Sequence, residues 1–304
     1  MDERRQGVMP PRERPPRRTP RTVIYRRRLL AVAVLAAGFA VAWFAVASIG
    51  GGNGGRRQTT TVALPPKPFR VVFPEGFTRA QMAARVEAVA KIAERERGKA
   101  PKLTARGYLE ATSHKRLQPG FGDRRYPLEG FLFPATYDFT RKTTEAQLET
   151  EQLDAFRRNW AKVNFRYARS KNLTPYDVLT IASMIEREAA VPEERALVSA
   201  VIYNRLHRHM ALGIDATLRY GLNIPPTQAI RESQLASTSP YNTSKRRGLP
   251  PTPIANPGLA SIQAAAHPAH VDYLYYVRKP DKKHHFFTAS YSAFERYKAA
   301  HGYR

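Results

Sequence analysis

The segment PYDVLTIASMIEREA, running from Pro175 to Ala189, decides how the rest of the chain is read. Thr174 is a natural N-cap, and Pro175 stands at the first helical position, where its missing N–H costs nothing. The spacing predicts a helix to about Ala189. Val178, Leu179, Ile181, Ala182, Met184 and Ile185 form an apolar stripe, with Arg187 on the opposite face. Glu188 falls roughly 70° from the centre of that stripe and Glu186 roughly 90°, on opposite flanks, so either carboxylate can enter a groove beside the core. A carboxyl at such a margin loses water, its pKa rises, and it can remain protonated as a general acid near neutral pH. The pattern alone fits two solvated glutamates at a helix end better than it fits an acid.

Outward from this helix the chain changes character several times. On the N-terminal side, a helix from about Thr144 to Lys171 is predicted, rich in Glu, Gln, Ala and Arg. Before it, YPLEGFLFP (Tyr126 to Pro134) is aromatic and turn-rich, and is expected to open the main domain, residues 126–304. Residues 64–125 read as a small α+β module: a strand at Phe69 to Phe73, a Pro74-Glu75-Gly76 turn, and a helix capped by Thr78. On the C-terminal side, a helix from Pro192 to Arg208 presents Leu197, Val201, Ile202 and Leu206 on one face. The stretch 221–257 carries seven prolines and reads as loop. A short helix at Ser261 to Ala266, a hairpin of Tyr273 to Val277 with His284 to Thr288, and a last helix from near Ser290 complete an α+β pattern.

Composition sets the surroundings. The 304 residues are 42% hydrophobic, enough for a sizeable core, and contain no cysteine, so neither disulfides nor thiolate metal sites enter. Fifty basic residues against 25 acidic give a formal charge of +25, which favours anionic surroundings without choosing among them. Residues 1–28 hold ten arginines against three acids and read as a disordered basic cytoplasmic tail. LLAVAVLAAGFAVAWFAVASI, Leu29 to Ile49, is uncharged and long enough to span the hydrocarbon core as one helix. Arg26, Arg27 and Arg28 abut it and hold the N-terminus inside, sending the remainder outward. Ala45-Val46-Ala47 offers a signal-peptidase site, but the apolar run exceeds an ordinary signal segment, so retention is expected. A Gly-rich linker fills residues 50–63. An outward location removes most of the case for nucleic acid, despite the charge.

Six stretches carry a resemblance: LEGFLFPATYDF (Leu128 to Phe139), IASMIEREA (Ile181 to Ala189), VIYNRL (Val201 to Leu206), SPYNT (Ser239 to Thr243), GLPPTPIANPG (Gly248 to Gly258) and AAAHPAHVDYLYYV (Ala264 to Val277). In order and spacing the chain resembles the endolytic murein transglycosylase family, over roughly residues 64–304. The resemblance implies a membrane anchor, a LysM-like module and a mainly helical lytic domain. It implies cleavage of the MurNAc–GlcNAc β-1,4 bond of peptidoglycan strands with a 1,6-anhydro end, no cofactor, and penicillin-binding proteins among possible partners. Other lytic transglycosylases place their acid at a helix end before Ser or Thr. The matching glutamate is Glu188, and Ala189 departs from that pattern. One carboxylate suffices there, because the muramic C6 hydroxyl attacks C1 in place of water and so brings the advantage of proximity.

The remaining polar motif residues read as groove. Tyr241, Asn242 and Thr243 can hydrogen-bond acetamido and hydroxyl groups while the ring stacks on a sugar, although turn chemistry after Pro240 explains them too. The motif match also assigns Glu129 and Asp215 to substrate binding; Asp215 could instead cap a helix at Ala216. His267 and His270 suggest no metal site, since Pro268 breaks the helix that would align them. Phosphate-loop, Gly-x-Ser-x-Gly and His-Glu-x-x-His motifs are missing. A different class of protein, a tethered scaffold that binds peptidoglycan without cutting it, is the alternative, and a water-using muramidase is a third reading.

Overall fold

The computed structural model describes residues 68–303 apart from 114 and 124. The expected cytoplasmic tail, membrane helix and linker lie outside these residues. Among the described residues no helix is long and apolar enough to cross a membrane.

Strand β1 (Phe69–Val72) leads through the Pro74–Gly76 turn into α1 (Arg79–Arg97), capped by a reciprocal pair in which Thr78 accepts from the Gln81 N–H and Gln81 from the Thr78 N–H. Helix α1 stops at Gly98, whose φ of 67° is a left-handed conformation that glycine enters without a Cβ clash. Helix α2 (Ala105–Ala111) and the two-residue strands β2 (Lys115–Arg116) and β3 (Arg125–Tyr126) follow. Strand β4 (Thr136–Phe139) then returns to pair antiparallel with β1, Phe69 opposite Phe139 and Val72 opposite Thr136. The expected boundary at 125/126 therefore falls inside a unit that β4 closes. Its core confirms this, joining Val71, Phe73, Met82 and Tyr108 to Phe131, Phe139 and Phe156. The described residues form a single compact unit.

The predicted 144–171 helix is two helices, α3 (Glu145–Trp160) and α4 (Arg166–Ser170). Between them the chain folds back so that Trp160 stacks on Phe165 with centroids 4.3 Å apart, Val163 turns into the core, and Asn164 Oδ1 accepts from the Arg166 N–H. Aromatic packing outweighs continuation of the helix.

Helix α5 (Pro175–Glu188) starts as its sequence dictates, with Thr174 and Asp177 capping each other's backbone N–H. The stripe expected on it is instead eight consecutive buried residues, Val178 to Ile185. Leu179 joins the first core, while Val178, Ile181, Ala182, Met184 and Ile185 join a second with Val198, Ile202, Ile262 and Ala265. A helix lodged between two cores has no solvent face at its middle. Its polar positions are satisfied locally: Thr180 donates to the Tyr176 carbonyl, and Ser183 donates to that of Thr180 while accepting from the Ile254 N–H. A 3₁₀ turn (Pro192–Glu194) leads into α6 (Arg195–His207), then α7 (Asp215–Gly221) and α8 (Glu232–Leu235). Helix α9 (Leu259–Ala266) packs on α5 and α6. Strands β5 (Tyr275–Arg278) and β6 (His285–Thr288) form the expected hairpin, covered by α10 (Tyr291–Ala300), which Ser290 caps.

Candidate active-site cleft

Glu188 is the last residue of α5, and the chain turns extended at Ala189, so its side chain leaves the buried helix at its rim. It is half-buried, and Oε2 accepts a 3.1 Å hydrogen bond from the Tyr276 hydroxyl. Burial raises its pKa, and the nearby Asp215 carboxylate raises it further; the Tyr276 hydrogen bond and the positive fields of His285 and Arg278 oppose this without reversing it. The carboxyl opens into a cleft of about 530 Å³ with Asp215, Tyr276, Arg278, Arg187 and Arg219 on its walls.

Tyr276 is held from two directions. His285, opposite Arg278 in the hairpin, buries its ring with Nδ1 2.6 Å from Glu194 Oε2, and its N–H donates to Glu194 Oε1 at 2.7 Å. Glu194 belongs to the turn that follows α5, so the hairpin is clamped beside the end of that helix. From α6, the Asn204 amide donates to the carbonyls of Val271 and Tyr273. Arg205 donates to those of Leu274 and Leu212, each at 2.6 Å. These bonds fix the lead-in to β5 and hence the reach of Tyr276.

A second hollow of about 520 Å³ adjoins the first, since Arg187, Ala216, Arg219 and Pro226 line both. Glu129 lies at its base, 3% exposed, accepting from the Arg79 N–H at the start of α1, from Asn256 Nδ2 at 2.8 Å and from the Tyr220 hydroxyl at 3.1 Å. Burial is the largest influence and lifts its pKa from an ordinary 4.5 to about 7, against the lowering effect of these donors. The neighbouring Gly130 has a φ of 90°, and a Cβ there would stand 2.7 Å from that of Pro253. Its N–H and that of Leu132 both donate to Asn256 Oδ1, so residues 128–132 and the 248–258 loop fix each other.

The structure thus brings Glu188, Asp215, Glu129 and Tyr241 to one cleft. Tyr241 meets the Tyr220 ring edge-on and shares a 2.8 Å hydrogen bond with Thr252. Asp215 is exposed, and α7 begins at Asp215 itself with Ile214 as its N-cap, so it caps no helix through its side chain. Asn242 and Thr243 do not line the cleft. Asn242 is 1% exposed and donates to the carbonyls of Leu235 and Ser237; Thr243 Oγ1 accepts from the Ile214 N–H and pairs with Thr217 at 2.9 Å. Asn242 spends its hydrogen bonds inside its own turn, and the Thr243 hydroxyl ties that loop to the start of α7. Glu186 points elsewhere too, accepting from the Gly258 N–H at the start of α9. Glu75 crowds the same spot, its pKa raised by burial and by the Glu186 charge.

Sequence reasoning passed over Tyr276, Asn256, Arg79 and Tyr220. Tyr276 sits in the quoted DYLYYV run, and strand alternation puts either Tyr275 or Tyr276 on the cleft side without saying which. Among the described residues no group of three or more acidic or histidine side chains is arranged to hold a metal ion.

A two-core α+β unit whose buried central helix delivers a desolvated carboxyl to a cleft of two adjoining hollows defines the class. The chain belongs to the YceG-like family, whose sequence profile matches residues 56–300. It is the family that the six motifs resemble. The chain is 36% identical over 155 residues to an endolytic murein transglycosylase of Bacillus subtilis, a match covering 51% of this chain and 43% of that protein. It is 40% identical over 161 residues to one of Streptococcus pneumoniae, covering 50% and 28%. The matched part therefore spans less than half the length of either relative. A crystal structure of a yceG-like protein from Listeria monocytogenes superposes with a TM-score of 0.63 at 30% identity, over 76% of each chain.

Proposed function

We propose that the chain is a peptidoglycan lytic endotransglycosylase, held to the outer side of the cytoplasmic membrane by Leu29–Ile49, that cuts nascent strands between MurNAc and GlcNAc and so ends their elongation. The observation that carries this reading is the desolvated Glu188 carboxyl, hydrogen-bonded by Tyr276 and facing the cleft. With its pKa raised, Glu188 protonates the leaving glycosidic oxygen and then accepts the proton of the muramic C6 hydroxyl as that oxygen closes on C1. Glu129, Asp215 and Tyr241 contact the strand in this scheme, while Asn242 and Thr243 hold the loop that carries Tyr241. The β1–α1–α2–β4 unit serves as the LysM-like, glycan-holding part, and wall synthases such as penicillin-binding proteins are the natural partners of a strand terminator.

Glu188→Gln should fold as the parent does and lose roughly 10²–10⁴-fold in release of anhydro-muropeptides from isolated sacculi. Parental activity in that variant would remove Glu188 from the mechanism. Asp215, on the same cleft wall, favours one second reading, a muramidase in which it activates water. Mass spectrometry separates the two: a reducing muramic end marks hydrolysis, and an anhydro end marks transglycosylation.

A further inference from the structure

The cleft is more cationic than a neutral sugar requires. Arg187 and Arg219 stand where its two halves meet, and Arg278 stands on the Glu188 side. Among the described residues none of the three lies within ion-pair distance of a carboxylate. Two are nonetheless held in place by backbone. Arg219 Nη1 donates to the carbonyls of Pro225 and Gln228, and Arg187 Nη1 to that of Gly76. Each guanidinium is anchored by one nitrogen, which leaves its other N–H groups for a ligand. Arg205, also in the cleft, differs: backbone carbonyls engage its Nε and one Nη, and burial lowers its pKa, so it serves the fold.

Fixed, unpaired guanidiniums along a glycan-sized groove suit a polymer with pendant carboxylates, which they bind as a two-pronged fork. Resting on the peptidoglycan reading, we infer that Arg187 and Arg219, with Arg278, bind carboxylates carried on the muramic residues beside the scissile bond, and that this charge separates murein from neutral chitin-like strands. The glycan backbone is itself neutral. Its carboxylates come from two sources, the lactyl group of a muramic residue stripped of peptide or the acidic residues of a stem peptide, and both present the same chemistry to the cleft.

The test measures binding, so it does not depend on cleavage. The full chain carrying Glu188→Gln, in detergent micelles, is titrated against fluorescently labelled soluble strands of two kinds, peptide-free and peptide-bearing. Each kind is used as isolated and after its carboxylates are converted to carboxamides. Amidation should weaken binding roughly tenfold, about what a lost charge-assisted pair costs, and the affinity for unmodified strands should fall with salt. A loss seen already with peptide-free strands assigns the lactyl carboxylate; a loss confined to peptide-bearing strands assigns the stem peptide. Arg187→Gln and Arg219→Gln, checked for folding by thermal melts, should bring the affinity for unmodified strands towards that for amidated ones. Arg219→Lys, which keeps the charge and can still reach the loop carbonyls, should lose less. Equal affinity for charged and amidated strands of both kinds would overturn the inference, and needs no variant to detect. Failure of the parent chain to cut sacculi would count against the catalytic reading alone.

Discussion

At the scale of single residues, the Glu188–Tyr276 contact has consequences beyond holding a side chain still. The Tyr276 hydroxyl donates to the carboxylate, stabilises its ionised form and so works against the burial that raises the Glu188 pKa. Tyr276→Phe removes that donor but keeps the ring that meets His285 edge-on at 5.3 Å. The Glu188 pKa should then rise further. In the proposed mechanism Glu188 acts only while protonated, so the alkaline limb of the kcat/KM profile should move to higher pH. The maximum should fall by about tenfold, the cost of a less firmly oriented carboxyl. A uniform loss of activity with the limb unmoved would mean that Tyr276 merely packs. At this scale helical spacing alone leaves Glu186 and Glu188 both open and does not show the partner of either. Helical spacing put two glutamates on two flanks of α5, and only the destination of each flank separates them: Glu186 meets the start of α9, and Glu188 meets the cleft.

At the scale of elements, local chemistry was the legible part. Thr78 and Thr174 stand at the helix starts they are expected to cap, and Ser290 caps the last helix, expected from near that residue, because a cap is decided within four residues of sequence. The hairpin follows from alternation around a turn in which Lys282 takes φ 60°. What could not be read depends on distant partners. The β1–β4 pair joins residues about 67 positions apart in sequence, and the break between α3 and α4 serves a Trp160–Phe165 stack that helix propensity does not register. The spacing of α5 predicts an apolar stripe with Arg187 opposite, but Thr180 and Ser183, which lie between the stripe positions, are buried as well because both turn their hydroxyls back onto α5 carbonyls. Its cap offers a test confined to the element. Thr174→Ala removes the acceptor for the Asp177 N–H and should cost about 1 kcal/mol. In a unit of this size that lowers the melting temperature by about 2–4 °C. The pH profile of activity should not move, since Glu188 sits at the other end of the helix, about 20 Å away.

For the whole molecule, the hub is Glu129, where the start of α1, the 128–132 turn, α7 and the 248–258 loop converge on one buried carboxyl. Its pKa is about 7 in the folded protein and an ordinary 4.5 otherwise, with burial as the main cause. Between those values the folded state holds a proton that the unfolded state has released, so stability falls as pH rises through that window. The full difference amounts to about 3 kcal/mol, complete once the pH exceeds about 7. Glu129→Gln cannot ionise, and it keeps one oxygen to accept from the Arg79 N–H or from Asn256. Denaturant unfolding of the full chain from pH 4.5 to 7.5 should give a parent curve that declines by this amount relative to the variant. The variant should be the less stable protein near pH 5, where it has lost an acceptor without gaining from neutrality, and the gap should close or reverse above pH 7. Parallel curves across the window would show that Glu129 is ionised throughout, and that the donors around it outweigh its burial.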